Sequence, residues 1–187
     1  YMKKIFAISA ILAMAVSTTA MADSITIRQQ LVDGVGTTDS TAYSLIYSHN
    51  VNKQVSTNVN FSQTQSDSAS KSIGTRIEGG LRYTTEPIFG SVKGTVRVGI
   101  GEKFSTKGNT TYWSVEPGMI VPIGPFNTRF AYRYRSSVDT AQGDQTNTAR
   151  VQVSYALSKQ DSIAVGYDRQ RGDSNSNTTR LSYTRRF

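Results

Sequence analysis

Residues 126–135 read Phe126-Asn127-Thr128-Arg129-Phe130-Ala131-Tyr132-Arg133-Tyr134-Arg135. Phe126, Phe130, Tyr132 and Tyr134 share one parity; Asn127, Arg129, Arg133 and Arg135 share the other. Successive side chains of a β-strand point to opposite faces, so this stretch predicts a strand with one aromatic face and one guanidinium face. A helix would carry apolar residues at i+3 as well as i+4, and the positions three after Phe126, Phe130 and Tyr132 are Arg129, Arg133 and Arg135.

The same period returns along the chain. In 149–157, Val151, Val153, Tyr155 and Leu157 oppose Arg150, Gln152 and Ser154. In 73–83, Ile73, Ile77, Leu81 and Tyr83 oppose Arg76, Glu78 and Arg82. In 55–61, Val55, Val59 and Phe61 oppose Ser56, Asn58 and Asn60. Ten such segments are expected, at about 24–32, 41–50, 54–63, 72–85, 89–103, 111–121, 126–136, 147–157, 162–170 and 178–187. Short connections rich in turn-forming residues, at 50–53, 86–88, 122–125 and 158–161, alternate with longer polar ones at 33–40, 63–71, 105–110, 137–146 and 171–177. Short turns at one end and longer loops at the other are the pattern of an outer-membrane barrel.

A sheet this long, soluble in water, would need a second layer over its apolar face, and the sequence offers no helix to supply one. In a bilayer that face meets lipid, and closing the sheet pairs every backbone N–H and C=O. The expected fold is therefore all-β: a ten-stranded antiparallel up-and-down transmembrane β-barrel. Its aromatics suit interfacial girdles, with Tyr43, Phe61, Trp113 and Tyr134 at the outer rim and Tyr83, Phe89, Phe126, Tyr155 and Phe187 at the inner one. Pro117 is a misfit inside the sixth segment, because proline in a barrel belongs at a bulge or strand end.

The start of the chain suggests export. Met2-Lys3-Lys4, the apolar stretch Ile5 to Val16 and then Ala20-Met21-Ala22 have the layout of a secretory signal, with cleavage expected after Ala22. The expected organisation is a signal peptide over 1–22 and one barrel domain over 23–187, in a bacterial outer membrane. Of 187 residues, 21 are Lys or Arg and 13 Asp or Glu, a net charge of +8. Loss of Lys3 and Lys4 leaves 19 cations against 13 anions. The absence of cysteine removes disulfides, thiolate metal sites and cysteine nucleophiles from consideration.

If the apolar row faces lipid, the opposite row faces the lumen. By parity it carries Arg28, Arg76, Arg82, Lys93, Arg97, Arg129, Arg133, Arg135, Arg150, Arg180 and Arg186, with only Glu78, Glu116 and Asp168 as acids. Asp33, Asp39, Asp67, Asp139, Asp144 and Asp173 fall in the longer loops. Buried guanidiniums need water, carboxylates or an anionic ligand. Two functions remain open on this pattern. The arginines line a passive channel that favours small anionic solutes, as charged rings do in selective pores. Alternatively they pair with the three acids and plug a lumen that, at about eight strands, is filled by side chains; the barrel then acts through its outer loops, as a structural or adhesin-like protein.

Val115-Glu116-Pro117-Gly118-Met119, Phe130-Ala131-Tyr132-Arg133-Tyr134-Arg135, Ala164-Val165-Gly166-Tyr167-Asp168 and Arg180-Leu181-Ser182-Tyr183 together resemble the later strands of the KdgM-type small monomeric porins. The resemblance covers roughly the C-terminal 75 residues. It implies a monomer that passes acidic oligosaccharides between two facing arginine tracks, to which Arg129, Arg133, Arg135 and Arg150 would correspond. This chain is shorter than those porins. Phe187, on the row of Tyr183 and Leu181, resembles the terminal aromatic signal read by the barrel-assembly machinery, although Arg185 is an unusual occupant of that row.

Enzyme, cofactor and nucleic-acid readings find little support. The single histidine, His49, lies on the lipid-facing row beside a turn. Gly99-Ile100-Gly101-Glu102-Lys103 lacks the ending of a phosphate-binding loop. No metal-ligand spacing stands out, and the cations are dispersed over many strands rather than gathered into a nucleic-acid patch.

Overall fold

The computed structural model describes residues 24–34, 39–66, 73–105, 108–139 and 144–187. The proposed signal segment lies outside them. Ten strands follow one another: β1 (Ser24–Gly34), β2 (Ser40–Asn50), β3 (Val55–Ser66), β4 (Ile73–Phe89), β5 (Val92–Ser105), β6 (Gly108–Ile123), β7 (Phe126–Ser137), β8 (Thr146–Ala156), β9 (Asp161–Gly172) and β10 (Ser176–Arg186). Each pairs antiparallel with its sequence neighbours, and β1 pairs with β10 from Ser24↔Arg186 to Gly34↔Ser176, closing the barrel. Closure leaves no edge strand with unpaired backbone groups.

The polarity of this barrel is reversed relative to a soluble protein. The described buried hydrophobic residues are only Ile25, Ala42, Tyr112 and Ala164. The buried polar residues are far more numerous and include Glu78, Arg97, Glu116, Arg133, Arg135, Asp168 and Arg180. Leu31, Val59, Ile77, Leu81, Val98, Ile100, Phe130, Val165 and Leu181 are exposed on the outside. In water that surface would be unfavourable by roughly 25 cal/mol per Å² of apolar area, whereas in a bilayer it meets acyl chains. The chain is thus a transmembrane barrel of the outer-membrane type. Trp113 packs against Tyr134 with tilted rings 5.3 Å apart near one end, and Phe126 against Tyr155 at 5.6 Å near the other, as interfacial girdles require. Phe61 departs from the expected rim: paired between Leu45 and Ile77, it lies part-way up the wall.

The connections between strands differ from expectation in three places. β5 runs to Ser105 and β6 resumes at Gly108, and these two residues pair, so most of the loop expected at 105–110 belongs to the ladder. β9 and β10 likewise leave only 173–175 between them. Residues 86–88, expected as a turn, belong to β4, where register shifts at Thr84/Pro87 and Pro87/Phe89 carry the chain to a turn at Gly90. The longest connections, 35–39, 67–72 and 138–145, still share one end, the extracellular one by this pattern.

Pro117 lies mid-strand, at neither a bulge nor a strand end. It pairs with Val96 of β5, but the ladder to β7 passes from Val115↔Tyr134 to Gly118↔Ala131 without a register shift. Proline has no N–H to donate, so the gap is local. Gly118 tightens the join, since a Cβ there would stand 2.5 Å from the Phe130 carbonyl.

Candidate functional site

Strand parity delivers the inward row, and closure brings its members together. Glu78 of β4 is the centre of one cluster. Its Oε1 lies 2.5 Å from Arg97 Nη1, and its Oε2 accepts from Arg133 Nη2 and, at 2.8 Å, from the Tyr112 hydroxyl. Arg97 also donates to Asn58 Oδ1 at 2.8 Å. Glu116 of β6 binds Arg129 and Arg150, each at 2.6 Å. Arg150 reaches on to Asp168 at 3.4 Å, and Asp168 takes Arg180 at 2.6 Å. Charged pairs of this kind give short, directional hydrogen bonds, and the guanidinium fork lets one arginine serve two carboxylates.

A fourth carboxylate joins from outside the strands. Asp144, expected in a solvated loop, turns inward and accepts from Arg135 Nη2 at 2.6 Å. Arg135 also lies 5.2 Å above the centre of the Tyr112 ring, with Arg76 at 5.7 Å and Arg133 at 6.0 Å. Tyr112 is wholly buried, and Glu78 and Glu116 are 2% and 1% exposed. The middle of the lumen is therefore a packed ionic network.

Small residues on neighbouring strands make room for it. A Cβ at Gly101 would lie 2.5 Å from the Tyr112 hydroxyl, one at Gly80 2.6 Å from Arg97, and one at Gly166 2.9 Å from Arg180. The glycine-rich Gly99–Gly101 segment is the seat of Tyr112 and Glu78. Small beside large along the inner wall is how a narrow barrel is filled.

The remaining cations divide by position. Arg28 donates to Ser182 Oγ at 3.1 Å. Arg76 stands opposite Lys103 on the loop side of Glu78, and Arg82 opposite Arg97 on the turn side. Among the described residues, none of Arg28, Arg76, Arg82 and Lys103 forms a salt bridge. Lys93 and Arg186 have inward parity but are exposed at the turn end, outside the network. Lys103, Tyr112 and Asn58 also line the interior although sequence reasoning did not single them out. Parity alone would have found them, since Lys103 shares the face of Arg97, Tyr112 that of Glu116, and Asn58 that of Ser62 opposite Arg76.

No family model matches the chain, and no curated protein matches it. Similar solved structures include the translocator domain of the autotransporter NalP from Neisseria meningitidis, at 6% identity and TM-score 0.52 over 99% of this chain and 98% of that one. The KdgM porin in complex with disordered oligogalacturonate is similar at 13% identity and TM-score 0.49, over 88% of this chain and 99% of that one. The NanC porin follows at 8% identity and TM-score 0.48, over 87% and 100%. The likeness is one of fold.

Proposed function

We propose that this barrel is a narrow passive channel favouring anionic solutes, with the Glu78–Glu116 network as its constriction. The observation that carries the reading is charge imbalance. With Glu78, Glu116, Asp144 and Asp168 all engaged, Arg28, Arg76, Arg82 and Lys103 are still without a carboxylate among the described residues. A purely structural plug would balance its charges, because an uncompensated buried cation is costly. Here the surplus stands on both sides of Glu78, Arg76 with Lys103 towards the loops and Arg82 towards the turns. An anion entering from either mouth meets cations without a carboxylate first, then competes with Glu78 or Glu116 for their guanidiniums. Acidic sugars suit this exchange, since their carboxylates match the guanidinium fork.

A second reading is favoured by the burial of Glu78, Glu116 and Tyr112. In it the network is a permanent plug and the barrel acts through its outer loops, parts of which lie outside the described residues. Single-channel recording of the refolded barrel in a planar bilayer, under a salt gradient, separates the two. Reproducible anion-selective steps support the channel, and a silent barrel of correct insertion supports the plug.

A further inference from the structure

The outward rows are almost free of cations. Among the described strand residues only Arg169, Arg171 and Arg185 stand there. Arg185, near the turn end, lies 3.8 Å from Asp161. Arg169 and Arg171 lie at the other end of β9, near its last residue Gly172, and neither forms a salt bridge among the described residues. Arg171 donates to the Gln170 carbonyl at 2.8 Å. The nearby acids do not answer them: Asp33 lies two strands away across Asn177, and Asp173 is held by the Gln145 amide at 2.6 Å. Cations on a lipid-facing row are unfavourable unless they meet an interface or a counter-charge.

Beneath Arg169 the outer wall is grooved. A depression of about 720 Å³ is lined by Met119, Phe130, Tyr132, Val151, Tyr167 and Arg169. It runs over the place where Pro117 interrupts the β6–β7 ladder. Its walls are apolar, whereas the positions beside the two arginines, Asn147 and Asn177, are polar. The surface thus has cationic and amide groups at headgroup height, with an apolar trough leading down into the bilayer.

We propose that this groove holds a phosphorylated, acylated lipid of the outer leaflet, its phosphate on Arg169 and Arg171 and one acyl chain in the trough. Charge complementarity selects the occupant. A neutral lipid would leave both guanidiniums unmatched, and a second copy of the same face would set arginine against arginine. The chain direction agrees, because the arginines stand at the loop end, where that leaflet's headgroups lie. The site is independent of whether the lumen conducts.

Native mass spectrometry of the refolded barrel with added lipopolysaccharide, intact or dephosphorylated, tests this. Wild type is expected to hold one lipid, with affinity about tenfold lower for R169E/R171E and for the dephosphorylated lipid. R169K/R171K should keep most of the binding, and R185E at the opposite end should bind as wild type. If R169E/R171E does not fold, R169Q/R171Q gives the same reading, and V151W tests the trough with both charges in place. Equal binding by wild type and the charge variants, indifference to the phosphate, or retention of phosphatidylethanolamine alone would each overturn the proposal.

Discussion

The Tyr112 hydroxyl donates to Glu78 Oε2 at 2.8 Å from across the lumen wall, with Gly101 between them in register. The bond couples β4 to β6 over the intervening strand. It also orients a ring whose face lies within reach of Arg76, Arg133 and Arg135. One phenol thus serves both as hydrogen-bond donor to a carboxylate and as aromatic partner to three guanidiniums. Y112F keeps the ring and removes the bond. A hydrogen bond to a charged group contributes about 1.5–3 kcal/mol, so unfolding of Y112F from liposomes in urea should be easier by that amount. A loss below about 0.5 kcal/mol would mean that water replaces the phenol readily.

Glu78 matters more than its hydroxyl partner, because Arg97 and Arg133 both depend on it. E78Q keeps the shape and removes the charge, leaving two buried guanidiniums without a carboxylate. Breaking one side of a buried ion pair costs about 3–5 kcal/mol, and that loss should appear as a lower urea midpoint. In a conducting barrel the same change should move the zero-current potential further to the anion side. Cation selectivity in E78Q would contradict the proposed role of the network.

Gly101 tests the fit of the interior. Any side chain there meets the Tyr112 hydroxyl at 2.5 Å and the Ile77 carbonyl at 2.7 Å, and the second contact is with backbone that cannot swing away. G101A should therefore destabilise by about 1–3 kcal/mol, the usual cost of overpacking, while G79A, with open space around it, should be close to neutral. Equal stability of the two alanine variants would show that Tyr112 is not seated as described.

The inward row was legible because the bilayer imposes alternation: wherever one face of a strand must be apolar, the other is free to be charged. That holds for Arg129, Arg133 and Arg135 without any knowledge of closure. Strand ends were less legible, since Ser, Thr and Asn suit both a loop and a ladder that continues beyond the lipid, as Ser105 and Asn109 do. Tyr112 was passed over because aromatics were credited to the lipid face. The pairing of Asp144 with Arg135 was out of reach, because alternation gives a loop residue no direction. Which arginine meets which carboxylate depends on strand tilt and register around the closed wall, and no local pattern carries that.

Arg129, Arg133 and Arg135 form one inward run on β7, and each is tied to a different carboxylate: Glu116, Glu78 and Asp144. Neutralising all three therefore removes three cations, strips Asp144 of its salt bridge among the described residues and leaves Glu116 with Arg150 and Glu78 with Arg97, narrowing the cation surplus. R129Q/R133Q/R135Q should have a weaker anion preference, with a zero-current potential moved towards zero, because Arg28, Arg76, Arg82 and Lys103 remain. Single substitutions should act unequally. R129Q leaves Glu116 with Arg150, and R133Q leaves Glu78 with Arg97, so each carboxylate keeps one partner. R135Q strips Asp144 of its one salt bridge among the described residues and should move selectivity furthest. A triple variant with unchanged selectivity would remove β7 from the conduction path, leaving its arginines to bind the wall together.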